Sequence, residues 1–109
     1  EKGNVNIETD FDDEEGFEFV EKRQVRYGDI DVNKHFNNAR YIEWMCDTLG
    51  FASFNDSFIS DISVQFKKET APGDFLLIEK KETETGFKVR FIDEEGLVHF
   101  MAEGLWKKY

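Results

Sequence analysis

From Gly28 to Asn38 the chain reads Gly-Asp-Ile-Asp-Val-Asn-Lys-His-Phe-Asn-Asn, which sets Asp29, Asp31, Asn33 and His35 at every second position. Carboxylates and imidazole move protons near neutral pH, so these residue types suit acid–base chemistry. Asp and Asn also hydrogen-bond their own backbone and favour turns and helix caps, the competing reading for Asp29, Asp31, Asn33, Asn37 and Asn38. Glu69 follows Lys67 and Lys68 beside a turn, a place that by residue type alone suits an exposed acid. Cys46 is the single thiol and lies among apolar positions with helical spacing, which makes it a small core residue without chemistry. His99 falls in a strand pattern with nothing pairing it and reads as structural. Asp10 to Gly16 faintly resembles a calcium loop, but its glycine comes one place late and the closing bidentate Glu is missing. With no glycine-rich phosphate loop and no metal-ligand cluster in the sequence, neither a nucleotide nor a metal cofactor is expected.

These residues must be held by regular elements, and the apolar spacing predicts which. Phe17, Phe19, Val25 and Tyr27 recur with approximate period two, the pattern of a strand with one buried face. After the Asp/Asn-rich loop, Tyr41, Ile42, Met45, Cys46 and Leu49 recur at spacings of three and four, predicting a helix over 39–49 closed by Gly50. An aromatic connector (Phe51, Phe54, Phe58) follows, and then strand after strand. Ile62 to Lys68 alternates, Ala71-Pro72-Gly73-Asp74 turns, and Phe75 to Glu82 alternates again. Thr85-Gly86 turns the chain into Phe87, Val89 and Phe91, and Asp93-Glu94-Glu95-Gly96 turns it into a last strand over 97–106. The order is strand, helix, then four strands in meander connection, so the helix has one sheet on which to bury its apolar stripe.

Composition bounds the function. The 109 residues, 39% of them hydrophobic and 16% aromatic, suffice for one packed core and not for two. No apolar run approaches the roughly 18 residues of a membrane-spanning helix, and the N-terminus lacks the layout of a signal peptide. A net charge of -10 has the wrong sign for nucleic-acid binding. One cysteine gives no internal disulfide, and a reducing cytoplasm fits best. Seven acids and no Lys or Arg fall between Glu8 and Glu18. Residues 1–16 therefore read as an acidic, poorly ordered lead-in and residues 17–109 as a single domain. The start at Glu1 without an initiator Met suggests a processed protein or a piece of a longer one.

The run from Tyr27 to Trp44, with its Asp31-x-Asn33-x-His35-x-x-Asn38 core leading into Tyr41-Ile42-Glu43-Trp44, resembles the signature of hotdog-fold thioesterases. It is most similar to the second hotdog half of the acyl-acyl carrier protein thioesterases. A second match lies downstream, where Phe66-Lys67-Lys68-Glu69 is similar to that family's aromatic-basic-basic-Glu segment. The resemblance covers Phe17 to the C-terminus and implies an α+β hotdog fold, an antiparallel sheet of about five strands wrapped around one long helix.

The activity it implies is hydrolysis of a fatty acyl thioester on acyl carrier protein, releasing free fatty acid. By motif matching, Asp31, Asn33, His35 and Glu69 fall on the family's functional positions. A carboxylate must attack the thioester or strip a proton from water; Glu69 is the leading candidate and Asp31 the second. Asn33 and His35 can orient the water and hold the carboxylate, while backbone N–H groups near Asn38 polarise the carbonyl. Many family members carry Cys directly after the Glu; Thr70 stands there in this chain, so a Cys-His-Asn scheme is unavailable.

Two alternatives stay open at this point. A single-hotdog acyl-CoA thioesterase would use Asp29, the first acid of the Asp-x-Asp pair. A non-catalytic acyl-binding half-domain is the other. A hotdog dehydratase is disfavoured, because it would carry a proline-rich segment after His35-Phe36, where Asn37-Asn38-Ala39 stands. The family's chains hold two hotdog halves and this length accounts for one, so a homodimer or pairing with a missing N-terminal half is expected. Carrier proteins are acidic, yet Lys67-Lys68, Lys80-Lys81 and Lys107-Lys108 read as solvated strand-end lysines before they read as a docking surface.

Overall fold

The computed structural model describes residues 14–26, 38–50 and 54–109. Its elements run β1 (Glu18–Gln24), α1 (Asn38–Leu49), β2 (Ser57–Phe66), β3 (Phe75–Glu82), β4 (Gly86–Ile92) and β5 (Val98–Lys108). The five strands form one sheet in the order β1-β3-β4-β5-β2, with every neighbouring pair antiparallel. β1 and β2, the strands on either side of α1 in sequence, therefore end at opposite edges of the sheet.

The helix forms because its apolar residues make one stripe. Tyr41, Trp44, Met45 and Leu49 are buried at i, i+3, i+4 and i+8, and Ile42 and Cys46 are only partly covered at the flank. Cys46 is thus less deeply placed than its spacing predicts, and partial burial pushes its thiol pKa up, away from thiolate chemistry. The Thr48 hydroxyl donates to the Trp44 carbonyl at 2.8 Å. Gly50 closes the helix with φ 83°, its N–H donating to the Cys46 carbonyl at 3.0 Å, as the sequence predicts.

Against this stripe the sheet presents Leu76 and Ile78 of β3, Phe87, Val89 and Phe91 of β4, and Phe100 and Ala102 of β5, the alternate residues of each strand. The Tyr41 ring stacks on Phe100 at 4.9 Å, and Phe91 and Phe66 tilt against the Phe100 ring at 5.1 and 5.5 Å. Arg23 lays its guanidinium 4.3 Å from the Trp44 ring and pairs with Asp47 at 3.5 Å, tying β1 to the helix. Trp106, on β5, meets Phe54 edge-on at 5.1 Å.

Three local expectations change. The strand pattern at β1 groups Phe17, Phe19 and Val25 on one face, but a bulge between Phe19 and Glu21 reverses the alternation. Val20 and Val25 consequently reach the core, Phe19 is 57% exposed, and Phe17 packs on the outer face with Val98, Met101 and Ile92. Phe58, placed by sequence in a connector, belongs to β2, which starts at Ser57. Gly86 opens β4 instead of ending a turn: the Thr83 N–H donates to the Gly86 carbonyl and the Gly86 N–H to the Thr83 hydroxyl, both at 2.9 Å.

On the outer face Glu14 is gripped by Lys81 at 2.6 Å and Lys88 at 2.8 Å, hydrogen bonds that hold its carboxyl below the usual carboxylate range. Arg90 sits 3.9 Å over the Phe17 ring and pairs with Glu79 at 2.7 Å. Residues 1–13, most of the acidic lead-in, lie outside the described residues.

Candidate active site

The segment between β2 and β3 is built as a rigid turn. Gly73 has φ 88°, the Asp74 N–H donates to the Ala71 carbonyl at 3.1 Å, and the Ala71 N–H donates to the Asp74 carboxylate at 2.8 Å. Two further bonds join the turn to Val25 at the end of β1. Just ahead of it, the N–H groups of Lys67 and Lys68 both donate to the His99 carbonyl, at 2.8 and 3.3 Å. Glu69 rides on this segment with its side chain exposed, next to the buried Thr70.

Glu69 and the first turn of α1 share a cavity of about 350 Å³, lined by Asn38, Tyr41, Phe66, Lys67, Lys68, Glu69 and Thr70. A carboxylate and a helix N-terminus thus face one space, and Phe66, 44% exposed, gives it an apolar wall. A helix start directs its unbonded N–H groups and the positive end of its dipole outward, which favours developing negative charge on an oxygen. Of the residues that the sequence singles out, Glu69 is therefore placed at this cavity. Asp31, Asn33 and His35, with Asp29, fall within 27–37, outside the described residues; that segment leads directly into Asn38.

Beneath the cavity lies a set of contacts that the sequence does not announce. Tyr41 Oη and Thr70 Oγ1 are 2.5 Å apart, Thr70 Oγ1 and His99 Nδ1 are 2.7 Å apart, and His99 Nε2 and Asp93 Oδ2 are 2.9 Å apart. His99 is thus paired on both ring nitrogens, correcting its reading as a strand histidine with no partner. Neither its spacing from Thr70 nor its own neighbours mark it; only the β2–β5 register, which sets Phe66 opposite Phe100, brings it beneath Glu69. Burial alone would raise the Asp93 carboxyl, but His99, the N–H groups of Leu97 and Glu95, and the Lys68 ammonium hold it well below the usual carboxylate range. Burial raises the Tyr41 phenol above its ordinary value.

The paired lysines are taken up locally: Lys68 by Asp93, Lys80 by Glu82, Lys81 by Glu14 and Lys108 by Asp56. Among the described residues no group of three or more His, Cys, Asp or Glu side chains is placed to hold a metal ion, and no helix is long and apolar enough to cross a membrane.

A model of the acyl-ACP thioesterase C-terminal domain matches residues 13–108, nearly the whole chain. The chain belongs to this family. The chloroplastic dodecanoyl-[acyl-carrier-protein] hydrolases of Cinnamomum camphora and Umbellularia californica are 32% and 34% identical to it over 44 residues, 40% of this chain and 12% of each relative. Among solved structures, an acyl-ACP thioesterase from Bacteroides thetaiotaomicron superposes with a TM-score of 0.76 at 25% identity, covering 83% of this chain and 37% of that one. A Staphylococcus aureus protein solved in complex with CoA gives 0.71 at 16% identity, covering 84% of this chain and 76% of that one. The acyl-ACP thioesterase domain thus has the hotdog architecture that its motifs imply, and it spans little more than a third of the solved thioesterase chain it matches.

Proposed function

We propose that this domain carries the hydrolytic site of an acyl-ACP thioesterase, cleaving fatty acyl thioesters on acyl carrier protein to free fatty acid. The observation that carries the reading is the meeting of Glu69 with the start of α1 at one cavity, in a chain that matches the family over residues 13–108. In this reading Glu69 takes a proton from water as the water oxygen attacks the thioester carbonyl carbon. The developing oxyanion lies against the N–H groups at the start of α1, the C–S bond breaks, and the phosphopantetheine thiol leaves with a proton. A carboxylate attacking the carbonyl directly would give the same products through an anhydride that water then opens. Asp31 is the second candidate for either role, and Asn33 and His35 orient the water and the carboxylate.

Pairing with a second hotdog half belongs to the same proposal. β2 forms a sheet edge, and Ile62 and Phe66 on it are exposed on the side that faces the helix, the sort of surface a partner half would cover. The deciding experiment measures hydrolysis of long-chain acyl-ACP and acyl-CoA by wild type, Glu69→Gln, Asp31→Asn and Asp29→Asn at matched folding. Turnover of acyl-ACP that is lost at Glu69 or Asp31 and survives at Asp29 supports the reading. Preference for acyl-CoA with loss only at Asp29 makes the activity acyl-CoA hydrolysis carried by Asp29 instead. Absence of turnover, both alone and joined to a first hotdog half, leaves an acyl-binding domain.

A further inference from the structure

We propose that His99, through Thr70, Tyr41 and Asp93, is the positioning centre that fixes Glu69 against the start of α1, an inference that rests on the hydrolytic reading above. His99 holds both flanks of Glu69. Its carbonyl accepts the N–H groups of Lys67 and Lys68 on one side, and its Nδ1 meets the hydroxyl of Thr70 on the other. Thr70 then meets Tyr41, three residues into the helix from Asn38, so one side-chain chain joins the carboxylate-bearing segment to the helix start. At its other end the chain stops on Asp93, whose other carboxylate oxygen is bound by two backbone N–H groups of its own turn.

Chemistry gives this chain a direction. An ionised Asp93 can only accept, so His99 Nε2 carries the hydrogen, and in the neutral imidazole Nδ1 then accepts. The Thr70 hydroxyl therefore donates to Nδ1 and its oxygen accepts from the Tyr41 hydroxyl. Each member has one arrangement, and Tyr41, Thr70 and His99 are all nearly fully buried, where a lost partner is costly. Among the described residues no buried side-chain nitrogen or oxygen lacks a partner. A site that stabilises a transition state tolerates little displacement of its carboxylate, and this chain supplies the constraint that an exposed Glu on a turn would lack.

The test uses the form of the protein, alone or joined to a first hotdog half, that turns over acyl-ACP, with wild type and Glu69→Gln in parallel. Thr70→Val removes the central hydroxyl at nearly constant volume, and Thr70→Ser restores it. We expect Thr70→Val to lower kcat about tenfold or more with KM nearly unchanged, and Thr70→Ser to return to within about twofold of wild type. Tyr41→Phe, which trims only the far hydroxyl, lowers kcat in the same direction and covers the case in which Thr70→Val does not fold. Imidazole 15N NMR of the wild type should show His99 protonated on Nε2 and not on Nδ1. Wild-type kcat in folded Thr70→Val or Tyr41→Phe, no rescue by Ser, or the opposite tautomer overturns the inference while the hydrolytic reading stands. Absence of turnover in wild type, or full turnover by Glu69→Gln, removes the role of Glu69 and this inference with it.

Discussion

In the proposed mechanism Glu69 acts without being buried: the side chain is exposed, and the backbone on both sides is fixed. Glu69→Gln should therefore reduce kcat by about 10²-fold or more and leave the melting temperature nearly unchanged, which thermal unfolding beside the hydrolysis assay will check. Asp93 is the opposite case, a carboxylate whose work is structural. Its replacement by Ala strands the hydrogen-bond donors of His99, Glu95 and Leu97, and should cost about 1–3 kcal/mol in urea unfolding at neutral pH. Because folding depresses its pKa, the contribution is complete above the ordinary carboxylate range and fades as pH falls below it. The stability gap between wild type and Asp93→Asn should accordingly narrow below about pH 4. At this scale the sequence was half legible. Glu69 is readable through Phe66-Lys67-Lys68, whereas His99 and Thr70 become partners only through strand register, which no local spacing encodes.

The elements were more legible than their edges. α1 and β3 follow from apolar periodicity and from Gly50 and Gly73, because a helix stripe and a strand alternation are local patterns. β1 was misassigned in its facing because one extra residue at its bulge inverts every later side chain, and nothing in Phe17 to Val25 marks that residue. The pairing of β4 with β5 depends on two glycines. A methyl on Gly86 would collide with the Gly104 carbonyl oxygen, and one on Gly104 would come within 2.7 Å of the Phe87 ring and 2.8 Å of the Asp61 carbonyl. Gly86→Ala meets backbone that cannot rotate away, and should destabilise by at least about 1–3 kcal/mol in the same urea titration.

At the scale of the molecule, the sheet closes over its helix on one side and stays open at β2, where Ile62 and Phe66, on the helix-facing side, are left partly uncovered at the edge. If a second half covers that edge, Ile62→Lys should shift the chain toward monomer in sedimentation without unfolding it; a wild-type monomer at the same concentration would count against pairing. The Arg23–Trp44 stack has a further use. Of the two tryptophans, Trp44 is buried under a cation where helix meets β1, and Trp106 lies on β5 near Phe54. The chain therefore carries two fluorophores with different surroundings. In Trp106→Phe, emission reports on whether the helix is seated, and a red shift during titration with an acyl ligand would time its loosening independently of any chemistry.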